Sequence, residues 1–309
     1  MSTFDTRRPD VADAEAVHDL VAEHDTAVIG RPDMTRADVA DLLGELDLGN
    51  DSWLVHEGDR ILGWGWAQRQ GDSDNVEVDV RARNQPAADL LWDAVTERAR
   101  RLAREAGHPR VRIDIAVYEQ DAAMRAAAAE RGFAPATSFH RMRIDFPAPV
   151  PVTVPGASLE AGSPGDIRLM RTAHGVQQEG FALHFGFVPR TFEEWVEVME
   201  ASSANDWNQL LLARVDGEPA AMLLGTDHFV EDENCGYVRT LAVLPRFRGR
   251  GLGRMLLGHA FAADERRGRV GTILHVDSNN TTPALGLYLS AGMRPVLAID
   301  VWRKTVSAS

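Results

Sequence analysis

The sequence holds one cysteine, Cys235, and one lysine, Lys304, in 309 residues. A single thiol excludes an internal disulfide and any cysteine cluster for a metal. The near absence of lysine leaves arginine as almost the whole cationic inventory, a compositional bias rather than a functional sign. Apolar runs long enough to span a bilayer are missing, and residues 1–15 lack the apolar stretch of a secretory signal. A cytoplasmic protein is therefore expected, with no membrane partner. Excess positive charge is also missing. The formal net charge is −13, which opposes nonspecific binding to nucleic acid. Hydrophobic residues make up 44% of the chain, enough to fill the cores of two ordinary domains.

What is present centres on residues 240–257. An apolar run, Thr240 to Leu244, ends at Pro245. Arg246, Arg248 and Arg250 then interleave with Gly249, Gly251 and Gly253, and a helical pattern follows. This reads as strand, anion-gripping loop and helix N-terminus. Glycines let the backbone approach a ligand closely. The free N–H groups of a first helical turn hold an anion, and arginines add charged contacts. A Walker loop would need Lys-Ser/Thr after the glycines, and a dinucleotide fingerprint would need another glycine spacing. Arg246-x-x-Gly249-x-Gly251 after a strand resembles the coenzyme A pyrophosphate loop of the GNAT acetyltransferase superfamily.

A second stretch carries the same resemblance. Val276-Asp-Ser-Asn-Asn280 closes an apolar run, and Ala284-Leu-Gly-Leu-Tyr288 leads to Ala291-Gly-Met293. The family has an asparagine after its fifth strand, then a helix ending Leu-Tyr-x-x-x-Gly-Phe. Asn280, Leu287, Tyr288 and Gly292 take those places, with Met293 where phenylalanine is usual. The resemblance runs from about Leu159 to the C-terminus.

The rest of the chain reads as alternating elements. Helices are expected over 9–24 with Asp10 as a cap, over 35–46 with a Thr35-x-x-Asp38 capping box, over 87–106 and over 122–131. Strands are expected at 53–55, 61–67, 76–80, 111–117 and 139–146. The proline-rich run 147–155 reads as an extended linker. After it, Ser163 to Asp166 looks like a capping box with Pro164 at the first helical position, and Thr191-x-x-Glu194 caps a second helix. Strands follow at 209–215, 220–229, 237–244, 272–276 and 296–306, with helices at 253–267 and 283–291.

The order of elements repeats. Gly132 and Gly292, Pro135 and Pro295, Ile113 and Ile273, and Arg143 and Arg303 each stand 160 residues apart. The chain therefore resembles a tandem GNAT protein, an arrangement similar to that of the mycothiol synthases. The expected fold is α/β (α+β): two tandem GNAT domains, each a mixed, mostly antiparallel central sheet flanked by helices. The expected boundaries are 1–147, a linker at 148–157, and 158–309. At the same offset the first copy has Gln120 facing Asn280 and Ala128 facing Tyr288. Its segment 81–89 lacks glycine, and Pro86 lacks a donor N–H. It is expected to be a degenerate copy, and the second half the catalytic one.

The resemblance implies acetyl-CoA as cosubstrate, no metal, and direct attack of an amine on the thioester. It assigns the pantetheine-pairing strand to Leu241, Ala242 and Val243. The pyrophosphate loop becomes Arg248, Gly249, Arg250, Gly251, Leu252, Gly253 and Arg254, with Asn280 also on the coenzyme. Tyr288 is expected to protonate the leaving thiolate. Glu231 and Glu233, just before the fourth strand, are candidates for the base, or a solvated acidic loop. Tyr237 is a candidate for the acceptor pocket. The aromatic segment 184–195 either covers the acceptor or supplies core residues in Phe192 and Trp195. His174, His228, His259 and His275 show no metal spacing. Cys235 has no nearby partner to make it a nucleophile. The expected partner is a small-molecule amine, and the expected assembly a monomer or homodimer. The alternative function is a non-catalytic acyl-CoA-binding or regulatory module.

Overall fold

The structure, a computed structural model, describes residues 4–182, 187–277 and 284–308. The chain forms two compact units that are not contiguous in sequence. The first is Met1–Ser138 with Ile299–Ser309, and the second is Phe139–Ala298.

The first unit begins with β1 (Asp5–Arg7), then α1 (Ala14–Ile29), α2 (Arg36–Glu45) and a single turn, α3 (Leu48–Asp51). Asp10 caps a short 3-10 turn before α1, and Thr35 and Asp38 form the expected capping box at the start of α2. Val17, Leu20 and Val21 of α1 and Val39 and Leu43 of α2 are the apolar stripes that bury against the sheet. β2 (Ser52–Glu57), β3 (Arg60–Arg69) and β4 (Asn75–Ala82) form an antiparallel meander. α4 (Gln85–Glu105) crosses over to β5 (Arg110–Tyr118), which runs parallel to β4. Leu91, Trp92, Val95, Ala99 and Ala103 recur at helical spacing, and that face of α4 is buried. α5 (Ala122–Glu130) and β6 (Ala134–Asp145) follow.

The second unit repeats the plan. It has β7 (Ala157–Ala161), α6 (Ile167–Phe181), α7 (Phe192–Glu200), β8 (Asn205–Val215), β9 (Glu218–Thr226) and the single turn α8 (Val230–Glu233). β10 (Cys235–Val243) leads through a 3-10 turn into α9 (Leu252–Arg266), and the chain returns as β11 (Gly271–Asp277), parallel to β10. α10 (Ala284–Ser290) follows, and β12 (Arg294–Ser307) ends the repeat, its residues from Ile299 onward belonging to the first unit. Within this unit the sheet order is β6-β11-β10-β9-β8-β7, antiparallel except at β10–β11.

Each unit takes its closing strand from the other repeat. Residues 139–145 of β6 pair with β11, and residues 299–307 of β12 pair with β5. This corrects the expected boundaries at 147 and 158. The two closing strands are equivalent by the 160-residue offset, so sequence periodicity does not say which sheet each one joins. Trp302 and Val306 pack into the core of the first unit, and Arg303 donates twice to buried Asp114, both bonds at 2.6 Å.

Two smaller corrections follow from local geometry. Residues 148–157 are not a free spacer, because Ala148, Val152 and Val154 pack on the core of the second unit. The cap of α6 is Asp166, which accepts from the Leu169 N–H at 3.0 Å. Gly165, at φ 82°, keeps Ser163 and Pro164 out of the helix.

Removal of residues 299–309 is expected to loosen the first unit. It deletes a buried tryptophan, worth about 3–5 kcal/mol in a core, and leaves Asp114 without its partner, a further cost of about 3–5 kcal/mol. Hydrogen exchange on the truncated chain should show faster exchange of the β5 amides, with those of β9 and β10 less affected. Equal protection in β5 with and without residues 299–309 would contradict the exchanged-strand arrangement.

Candidate functional site

β10 and β11 pair only from Cys235/Gly271 to Val238/Leu274. Beyond that point the two strands part. On the other side of β10 the register with β9 slips by one residue between Val238 and Thr240, so Arg239 is the extra residue of a β-bulge. A bulge bends its strand and re-aims the residues after it. Leu244 N–H donates to Ala220 O at 3.0 Å. Hydrogen-bonded pairs alternate along an antiparallel ladder, so Thr240 and Ala242 also face β9. Leu241 and Val243 therefore turn their backbone groups toward the parted side. Ala242, expected to share that role, is a ladder residue instead.

The loop after β10 lies along this opening. Gly249 and Gly251 hold φ of 76° and 84°, a left-handed backbone that side chains with a Cβ resist. Gly251 is the N-cap of α9, and no side chain caps that helix. Its first N–H groups are left for an outside acceptor, where the helix dipole also favours negative charge. A Cβ on Gly253 would stand 2.8 Å from Leu287 Cδ2, so glycine is what lets α10 close against this turn. Arg248 donates to Val243 O at 3.1 Å and to Gly180 O at 3.4 Å, which fastens the loop to β10 and α6. Arg250 sits over the Phe247 ring, 5.4 Å from its centroid, and is not among the residues lining the cavity. Arg246 pairs with Glu179 at 2.6 Å.

A cavity of about 630 Å³ occupies the parting. Leu241, Ala242, Val243, Arg248, Gly249, Gly251, Leu252, Gly253, Arg254 and Tyr288 all line it. The expectation for Asn280 lies outside the described residues. Strand alternation sorts the walls into two faces. Leu274 and Val276 share the core of α9 with Tyr288. Ile273 belongs to a separate cluster with Phe229, Cys235 and Tyr237. His275 and Asp277 follow Ile273 at two-residue steps and so share its face, and Phe139 stands opposite Asp277 on β6. The opening therefore joins both sides of the sheet.

Tyr288 is buried, and burial pushes its phenol up to about 12. At neutral pH it is a proton donor. Neither acidic candidate for a base lines the cavity. Glu231 lies exposed on α8. Glu233 is buried between two guanidinium groups, 2.5 Å from Arg143 and 3.5 Å from Arg141. A carboxylate held that way neutralises buried cations and is turned from any substrate. Cys235 is fully buried, with its thiol pushed up to about 11 by desolvation, which agrees with a packing role.

His275, weighed in the sequence only for metal spacing, is a residue that the sequence does not mark as part of the site. It lines the cavity, receives a hydrogen bond from Arg141 Nε at 3.2 Å and contacts Tyr237 Oη through Nδ1 at 3.0 Å. Burial also raises the Tyr237 phenol. Asp277, Arg239 and Phe139, on strands, and Phe181, at the end of α6, line the cavity too; the parting that exposes them is not visible in the sequence. In the aromatic segment 184–195, residues 184–186 lie outside the described residues. Phe187 lines the cavity, Trp195 is core, and Thr191 and Glu194 form the expected cap.

The equivalent place in the first unit is built differently. β4 and β5 also pair over four residues, Asn75 to Val78, and then part. There Asn84 Oδ1 accepts from the Ala87 N–H at 3.0 Å, and proline occupies the first turn, so the helix satisfies its own terminus. The strand ends carry Arg81, paired with Asp79 at 3.1 Å, and Tyr118, which donates to Asp25 and Asp33.

Residues 181–293 match the acetyltransferase (GNAT) family. A GCN5-related N-acetyltransferase from Sphaerobacter thermophilus is similar at 25% identity and a TM-score of 0.83, with 98% of this chain and 96% of that one covered. A tandem GNAT protein from the clavulanic acid biosynthesis pathway is similar at 17% identity and a TM-score of 0.71, with 99% of each chain covered. No curated protein matches this sequence. Among the described residues, no helix is long and apolar enough to cross a membrane, and no group of His, Cys, Asp and Glu is arranged to hold a metal.

All three tyrosines of the chain are raised by burial. The folded protein should therefore show almost no tyrosinate absorbance at about pH 10, where a free phenol is half ionised. Denaturant at the same pH should bring the signal up. A folded protein with one phenol titrating near pH 10 would place a tyrosine in water and contradict the burial of Tyr288 or its companions.

Proposed function

Because its second unit is a domain of the GNAT acetyltransferase family, we propose that this protein transfers an acetyl group from acetyl-CoA directly to a primary amine of a small molecule. The observation that carries this reading is the uncapped, glycine-flanked N-terminus of α9 at the mouth of the opening between β10 and β11, with a protonated phenol inside. The residues fit the cosubstrate. The α9 N–H groups and Arg254 suit the pyrophosphate. Leu241 and Val243 offer backbone groups to the amides of the pantetheine arm, as a strand edge does for an added strand. A backbone N–H of this edge also suits the oxyanion that forms when the thioester carbonyl is attacked.

Tyr288 supplies the proton that the departing thiolate takes up. A thiol has a pKa near 8.5, so this help is moderate rather than decisive. The first unit, with its self-capped helix and no glycine loop, is read as a degenerate copy, giving one coenzyme per chain. A pure binding module has no use for the protonated phenol, which is why turnover is favoured over the non-catalytic reading. The working protein is taken to be a monomer or homodimer that acts on a soluble amine.

Screening primary amines for release of free CoA thiol tests the activity itself. Gly251→Asp should weaken acetyl-CoA binding by roughly 10³-fold. A carboxylate near the pyrophosphate costs about 4 kcal/mol at a surface dielectric, and the left-handed backbone resists the new Cβ. Calorimetry showing wild-type affinity in that variant would remove the loop from the binding site.

Tyr288→Phe keeps the ring and its packing and removes only the oxygen. Turnover should fall by about 10- to 10³-fold while acetyl-CoA affinity stays near that of the wild type. An unchanged turnover rate would return Tyr288 to a packing role, and a loss confined to affinity would make it a binding residue.

A further inference from the structure

The proposed reaction needs a group that takes a proton from the attacking nitrogen, and neither glutamate on α8 reaches the cavity. We infer that Asp277 is that group. This rests on the acyl-transfer reading above and names the residue that serves its acceptor side.

Asp277 is the last residue of β11, where that strand has already left β10. It is largely buried, at 9% exposure. It supplies the one carboxylate among the described residues that line the cavity. It lies two residues after His275 on β11 and so shares its face, away from the α9 core, whereas Tyr288 belongs to the α9 face. In acyl transfer the nucleophile enters on one side of the carbonyl and the thiolate departs from another. Tyr288 on one face and Asp277 on the other divide the two proton transfers between the two sides of the sheet. Phe139, opposite Asp277 on β6, and Phe187 add apolar walls, which suit the carbon skeleton of an amine.

His275 is the competing base, and its surroundings exclude it. A guanidinium has donors and no acceptor, so Arg141 Nε donates to His275 Nε2 at 3.2 Å. That nitrogen's lone pair is occupied. Nδ1 therefore carries the ring proton and donates it to Tyr237 Oη at 3.0 Å. A second proton at Nε2 would face Arg141, itself buried and 3.5 Å from Glu233. His275 is a positioning residue that holds the wall beside Asp277.

The step balances as follows. The lone pair of the unprotonated amine forms the C–N bond to the thioester carbonyl carbon. The nitrogen becomes cationic, and its proton becomes acidic enough to pass to a carboxylate oxygen of Asp277. The C–S bond then breaks, the thiolate takes the Tyr288 proton, and both side chains re-equilibrate with water.

The test uses the full chain with acetyl-CoA and an amine accepted by the wild type. Asp277→Asn should bind acetyl-CoA as the wild type does and turn over about 10²- to 10⁴-fold more slowly. Asp277→Ala should lose as much, and added formate should restore a large part of its rate by replacing the missing carboxylate. Formate should do nothing for the asparagine variant, whose amide fills the space. Such rescue does not follow from a structural role. Wild-type turnover in Asp277→Asn, or an alanine variant that binds acetyl-CoA but ignores formate, overturns the assignment. A wild-type protein that binds acetyl-CoA and acetylates no amine overturns the underlying acyl-transfer reading instead.

Discussion

Everything functional in the second unit depends on two parallel strands ceasing to pair. β10 and β11 share a ladder as far as Val238 and Leu274. Past that point their backbone groups face an opening rather than each other. Unpaired N–H and C=O groups in a buried place are costly, so the fold keeps them only where an outside partner can satisfy them. The bulge at Arg239 makes the parting sharp. It also turns the backbone groups of Leu241 and Val243 toward that opening, which places the strand edge and the uncapped helix terminus on one cavity.

Beside the opening, charge is enclosed. The buried side chains of Glu233 and Arg141 form a connected set there with the half-buried Arg143 and His275. Breaking such a set leaves a bare charge in a poor solvent, at about 3–5 kcal/mol. The set therefore acts as a stiff wall, and it explains why Glu233, just before β10, does not line the cavity. The first unit shows the contrasting outcome: its parted strands end in the ion pair of Arg81 with Asp79 and in Tyr118 bonded to Asp25 and Asp33, and its crossover helix caps itself.

Local chemistry was the most legible part of the chain. The caps at Thr35 and Thr191, the stripe of α4, the glycine loop and the position of Tyr288 were all readable, because each rests on residues within one or two turns of one another. Asp166 displaced Ser163 as a cap through the left-handed Gly165, which a pattern of residue types does not reveal. His275 and Asp277 looked like ordinary strand residues. Their place in the cavity wall follows from facing an opening, and a strand does not announce in its own residues that its neighbour has departed.

The sequence by itself determined two copies of one mixed sheet, and it determined which copy carries the glycine loop before an uncapped helix, because φ preferences, missing N–H groups and helix caps are short-range properties. Tertiary structure alone decided that β6 closes the second sheet and β12 the first. The two strands are equivalent under the repeat, so hydrogen-bonding potential is the same for either choice, and only packing of side chains such as Trp302 and Arg303 against a particular sheet distinguishes them. It likewise decided which carboxylate meets the cavity, since burial, partners and strand register all act between residues far apart in the chain.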